Sequence, residues 1–309
     1  MPVMTRANES VPFRHARLVR PATARMCSAA AVIAVAMAAV PAAAQCRPPA
    51  NSNEAKLLAF YSAPVSYSVD AAPEHVAPWS VRLSFEVEPM PTPNDAIEQT
   101  HFCFESKGEN TRLSPVFGRP RVTIGLPGGF VFEGSYVPPI QLYDAKPNVA
   151  NFALSRVQRL PPAPWGGALS FMLRAHGTVG QVQGPITCPQ KGLQTDDEAD
   201  PCFGSTPSKD TFHPYMVGGE GAFTLTTHDQ RWAFYAGGGV NFLKPRFQVG
   251  FTDGNGVTDS TRVNVDLTRG TVFGGITAHV THAFELSAQV YSQPADVTTV
   301  RFSAGYILR

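Results

Sequence analysis

The sequence predicts an all-β chain: a transmembrane up-and-down antiparallel β-barrel of about ten strands (8–12), preceded by an N-terminal extension. Three observations lead there. Segments of roughly ten residues alternate apolar and polar side chains from Trp79 to the C-terminus. The connections between them alternate long and short, and the polar face carries charge at strand centres.

The last run shows the alternation most plainly. Val300, Phe302, Ala304, Tyr306 and Leu308 fall on one face, and Thr299, Arg301, Ser303 and Gly305 on the other. Before it, Phe284, Leu286, Ala288 and Val290 oppose Glu285, Ser287, Gln289 and Tyr291, and a short turn at Thr281 and His282 leads back to the run Val272 to Val280. Strand one begins at Trp79, with Val81, Leu83, Phe85 and Val87 against Arg82, Ser84, Glu86 and Glu88. Arg119 to Leu126 and Phe130 to Val137 form a hairpin about Pro127-Gly128-Gly129, residues suited to a tight turn. Val149 to Arg159, Trp165 to His176, Tyr215 to Thr227 and Trp232 to Phe242 supply strands four to seven. Gly237-Gly238-Gly239 in the last of these reads as a kink that lets the wall bend.

Alternation alone leaves open whether the apolar face meets a core or lipid, so a soluble barrel or sandwich is the competing reading. The connections favour lipid. Residues 89–118, 138–148, 177–213, 243–262 and 293–297 are the long ones, and 127–129, 160–164, 228–231 and 281–282 the short ones. Membrane barrels place short turns on the periplasmic side and long loops outside. Trp79, Phe130, Trp165, Trp232 and Phe284 each open an outward-running strand with the parity of the apolar face, which makes them an interface girdle. Arg82, Glu86, Arg121, Glu133, Arg174, Glu220, Glu285 and Arg301 share the other face, which no dry core would take.

The head of the chain reads as a secretory signal peptide over residues 1–44. Arg6, Arg14, Arg17, Arg20 and Arg25 precede the apolar run Ser28 to Val40 and the small residues before an expected cleavage after Ala44. Residues 45–78 are the extension, with a short helix expected near Asn53 to Tyr61, and 79–309 the barrel. Beyond residue 44 stand 20 basic and 23 acidic side chains, a balance that does not call for nucleic acid. Cys46, Cys103, Cys188 and Cys202 make an even set in an exported chain. Cys188 and Cys202 bracket one polar loop and are expected to pair, which leaves Cys46 with Cys103. That second bridge requires the extension to thread the lumen as a plug. The other arrangement leaves the extension below the barrel with Cys46 paired elsewhere.

Over residues 79–309 the chain resembles Gram-negative outer-membrane β-barrel proteins. The segment GLPGGFVFEGSYVPP also resembles a strand-turn-strand of small barrels related to hydrophobic-compound transporters. The resemblance implies an outer-membrane location, contact with outer-membrane lipid and insertion by the barrel-assembly machinery. The chain departs from that pattern in ending Tyr306-Ile307-Leu308-Arg309 rather than on an aromatic residue.

In a closed barrel strand one pairs with strand ten. Glu86 and Glu88 should then meet Arg301, flanked by Arg121, as a constriction in the outer half of the lumen. Such a cluster either plugs a narrow barrel or selects a polar solute. The expected function is a narrow channel or transporter for a small solute. The alternative is a non-conducting structural or adhesive barrel acting through disulfide-braced outer loops. A lipid hydrolase has only His282 with Ser287, or His279 with Ser292, as raw material, so no catalytic residue is assigned and the chain is not expected to be an enzyme. No metal or cofactor is expected: the cysteines lack CxxC spacing, no phosphate-binding glycine motif occurs, and Asp196, Asp197, Glu198 and Asp200 read as a solvated acidic loop.

Overall fold

The computed structural model describes residues 45–99, 102–103, 110, 113–162 and 166–308. The expected signal peptide and Trp165 lie outside the described residues. Ten long strands follow in order: β1 (Val81–Pro89), β2 (Val116–Gly125), β3 (Phe130–Val137), β4 (Lys146–Arg159), β5 (Ala168–Gly184), β6 (Met216–Thr226), β7 (Trp232–Leu243), β8 (Leu267–His279), β9 (Phe284–Gln293) and β10 (Val297–Leu308). Each pairs antiparallel with the next, and β10 closes the ring on β1 through a register that sets Phe302 opposite Val87.

The polarity of this barrel is inverted relative to a soluble one. Leu83, Phe85, Leu173, Phe223, Val290 and Phe302 point outward and are exposed, while Glu86, Arg121, Arg174, Glu220 and Arg301 are buried inside. An apolar wall around a charged interior is stable only when the wall faces hydrocarbon, so the fold is a transmembrane β-barrel. The short turns gather at one rim, called lower here. There Pro127–Gly129 makes the β2–β3 turn, with Gly128 and Gly129 at φ 77° and 76°, a conformation glycine adopts without a Cβ clash.

Several strands run further upward than the alternation showed. β2 starts at Val116 rather than Arg119, β5 reaches Gly184, and β8 starts at Leu267. These upper parts carry a cap that surrounds them with protein, so the two-faced pattern lapses there. Short strands Asp210–His213, Arg246–Gln248 and Arg262–Asn264 continue the sheet beyond β5, and Gln45–Cys46 adds to its edge in parallel with Arg262–Val263. Asp210 knots the cap, its carboxylate accepting from the backbone N–H groups of Ile186, Thr187 and Gly250 and from the Ser208 hydroxyl. Both expected cysteine pairs are present, Cys46–Cys103 and Cys188–Cys202, at Cα separations of 5.6 and 5.5 Å.

The triple glycine does not kink β7, whose ladders to β6 and β8 run unbroken through it. The inward-facing Gly237 and Gly239 instead permit close approach, because a Cβ on either would lie 2.4 or 2.2 Å from the carbonyl oxygen of Gly221 or Gly219.

Candidate functional site

The extension occupies the lumen. It begins in the cap at Gln45–Cys46, forms helix α1 (Asn53–Ser62) and then runs extended down the barrel axis to the turn before β1. Ser52 caps α1 by accepting from the Ala55 N–H at 3.1 Å, and the helix buries Ala55, Leu58 and Ala59 against the apolar core of the cap.

Below α1 the segment Ala63 to Pro73 has no partner strand, so its backbone carbonyls need donors. The wall supplies arginines. Arg119 donates to the carbonyls of Val65 and Ser66, Arg301 to those of Ala63 and Ser66, Arg121 to Ser68 at 2.9 Å, and Arg174 to Tyr67 at 2.5 Å. Each guanidinium offers five N–H groups and a carboxylate cannot absorb them all, which is why a bare stretch of backbone fits this interior. The Tyr67 ring stands among three of these cations, with its centroid 4.1 Å from Arg121, 5.0 Å from Arg174 and 5.2 Å from Arg119.

Wall carboxylates pair with the same arginines. Glu86 bridges Arg119 and Arg121 at 2.5 Å each, Glu133 bridges Arg121 at 2.7 Å and Arg174 at 3.0 Å, and Glu220 meets Arg174 at 2.9 Å. Asp70 of the extension joins lower down, paired with Arg82 and accepting from Ser84 at 2.5 Å. Near the lower mouth Glu74 accepts from Thr226 at 2.5 Å and lies 3.2 Å from His279.

The sequence-derived constriction residues all face this interior, and of the expected pairings Glu88 with Arg301 is present while Glu86 with Arg301 is not. Arg301 pairs with Glu88 at 3.0 Å, while Glu86 turns to Arg119 and Arg121. They line the seat of the Ala63–Pro73 segment rather than a free passage. Arg119, the most buried of the described arginines, was missed as a partner because it stood at the edge of the loop expected over 89–118. Tyr67 and Asp70 carried no periodic signal at all. Of the girdle, Phe130, Trp232 and Phe284 open β3, β7 and β9 at the lower rim and are exposed. Trp79 is not part of β1; at φ 66° it sits in the preceding turn and donates its N–H to the Gly125 carbonyl at 2.8 Å.

Above the packed lumen the wall, α1 and the cap enclose an apolar cavity of about 140 Å³. Leu58, Val65, Phe117, Val137, Phe212 and Phe247 line it, together with a few polar side chains. One of them, Glu54, accepts from the Phe102 N–H at 2.5 Å. Burial opposes the Glu54 charge, but the backbone N–H groups of Phe102 and Cys103 and the Ser52 hydroxyl win and lower its pKa below 4.5. A dry apolar cavity near 150 Å³ is large enough for one benzene ring.

Solved structures similar to the chain are outer-membrane proteins. The attachment invasion locus protein Ail of Yersinia pestis is 9% identical with a TM-score of 0.27, over 74% of this chain and 97% of its own. The outer membrane protease OmpT of Escherichia coli is 6% identical with a TM-score of 0.36, over 74% and 91%. A loop-deletion mutant of OmpT, an outer membrane protein of Vibrio cholerae, is 12% identical with a TM-score of 0.23, over 74% and 76%. No family model matches the chain, and no curated protein matches it.

Proposed function

We propose that this protein is an outer-membrane barrel that takes up a small, uncharged, apolar molecule in its upper cavity, while its own N-terminal segment keeps the lumen closed to ions. The observation that carries this reading is the stacking of the two spaces. The charged lumen is filled by Ala63–Pro73, and the void above it is walled by apolar side chains. A solute selected by charge would need the donors and acceptors already committed to one another there. An apolar solute needs none of them, and its transfer from water is favourable by roughly 25 cal/mol per Å² buried. In this reading residues 1–44 serve export, the lower rim faces the periplasm, lipid and the assembly machinery are the chain's partners in the membrane, and no catalytic step is assigned.

The test uses fluorobenzene as probe and fluorine NMR of the refolded protein in detergent. A saturable bound resonance that disappears in Ala145→Leu, which fills the cavity, supports the reading. Partition into detergent alone, identical with and without protein, overturns it.

A second reading is favoured by the cap. It is braced by Cys46–Cys103 and Cys188–Cys202 and exposes Phe102, Tyr143 and Val257, as a contact surface would. A non-conducting structural or adhesive barrel would bind no fluorobenzene, and its activity would move with its upper loops when these are grafted onto another barrel.

A further inference from the structure

The upper sheet has two faces, and only one belongs to the cavity. Pro147, Val182, Phe212, Phe247 and Val263 stand opposite one another in turn, from β4 through β5 to the three cap strands, and all of them line the void. A strand sends successive side chains to opposite faces, so the rungs on either side of this row point out of the protein. The upper of the two is Lys146, Gln183, Thr211, Gln248 and Arg262, paired in that order. The lower holds His213, Arg246 and Asn264. All of these side chains are exposed or half-exposed.

The outer face is thus a field of amides and a hydroxyl with a cation at each end. Strands about 4.8 Å apart set Lys146 and Arg262 roughly 19 Å from each other, the reach of a few linked sugar rings. Arg262 donates its Nε–H to Gln248 at 3.2 Å, and Arg246 is held by the Val265 carbonyl at 2.8 Å and by Asp266 at 3.0 Å. A guanidinium carries five N–H donors, so both arginines are fixed in place and keep donors for a ligand.

This face ends where the lipid-facing wall begins. The His213 ring stacks on Tyr215, with centroids 5.2 Å apart, and Tyr215 is exposed. Beneath it stand the exposed Val179, Val217 and Phe242 of β5, β6 and β7. Tyrosine marks the boundary between hydrocarbon and headgroups, which puts the two polar rungs at headgroup depth.

We propose that this face binds the phosphorylated sugar headgroup of an outer-leaflet glycolipid. Lys146 and Arg262 take phosphates, and Gln183, Thr211 and Gln248 between them meet sugar hydroxyls. A free sugar phosphate offers the same polar groups, but the lipid also lays its acyl chains on Val179, Val217 and Phe242, which selects the lipid. The inference takes from the reading above only the orientation, with the upper rim outside, and is independent of the cavity's ligand.

Native mass spectrometry of the refolded full chain in detergent tests it, with short-core lipopolysaccharide as the probe. A one-to-one adduct is expected, weakened about tenfold or more by Lys146→Gln with Arg262→Gln, and likewise by enzymatic removal of the probe's phosphates. The double variant should keep the parent's urea midpoint, and the dephosphorylated probe tests the same contacts on the unaltered chain. Excess glucosamine 6-phosphate should leave the adduct in place; displacement would assign the face to a soluble sugar phosphate and overturn the lipid. Equal binding of phosphatidylglycerol would show attraction by charge alone and overturn recognition of the sugar. Absence of an adduct, or an adduct indifferent to the double variant, overturns the proposal. Fluorobenzene binding in the cavity is unaffected by any of these results, so the two readings fail separately.

Discussion

Arg119 Nη2 lies 2.5 Å from Glu86 Oε1, both side chains are fully buried, and the same guanidinium donates to the carbonyls of Val65 and Ser66. One residue thus ties the wall of the barrel to the chain that fills it. Removing a single partner from such a pair leaves an uncompensated buried charge, a larger penalty than the pair is worth when intact.

Glu86→Ala takes the carboxylate from Arg119 and leaves Arg121 with Glu133. It is expected to lower unfolding stability by about 3–5 kcal/mol. Urea unfolding in phospholipid vesicles, followed by tryptophan fluorescence, measures it; a change below ~1 kcal/mol would show that the lumen charges are solvated rather than packed.

The Cys46–Cys103 bridge closes a loop across 57 residues. On the chain-entropy account a loop of that length contributes roughly 4 kcal/mol, so Cys46→Ser with Cys103→Ser should lower the urea midpoint clearly. The arginine contacts to Ala63–Ser68 remain, and limited proteolysis should therefore cut near residues 47–52 while leaving the lumen segment protected.

Glu54 provides a pH test outside the membrane wall. Its folded pKa lies below 4.5, so its contribution is complete above pH 4.5 and fades as pH falls through the lowered value. Hydrogen exchange of α1 should accelerate on acidification in that window. Glu54→Gln should exchange faster already at neutral pH and respond less to acid; an identical acid response in both proteins would show that another group holds the helix.

At the lower rim Gly125 permits the close approach of the turn before β1, since a Cβ there would stand 2.1 Å from the Ala77 carbonyl oxygen. Gly125→Ala must displace that turn, at a cost of about 1–3 kcal/mol. Its near-wall reporter is Trp79, whose N–H bond to the Gly125 carbonyl should be lost, with a red shift of its emission.

The ten strands were legible because lipid outside and charge inside impose a strict period of two. Phe302 and Arg301 could not exchange faces without cost. The meeting of strands one and ten followed from closure, and it brought Glu88 to Arg301. What stayed hidden has a physical reason in each case. Val65 to Ser68 meet the arginines through their carbonyls, which every residue possesses, and the side-chain contacts of Ser66 and Tyr67 follow no period. Arg119 lies where β2 continues without its β3 partner, and it stood as the first residue of the expected strand, against the loop expected over 89–118. The cap strands are two to four residues long, too short for any period to show. The end of the β2–β3 ladder at Arg121 opposite Ser135 depends on register and not on composition.

The central claim is that Ala63–Pro73 seals the lumen, and single-molecule conductance in a planar bilayer tests it most directly. The intact refolded protein should insert without ion-conducting steps, and a chain lacking residues 45–78 should show them. Regular steps from the intact protein, unchanged by that deletion, would contradict the account.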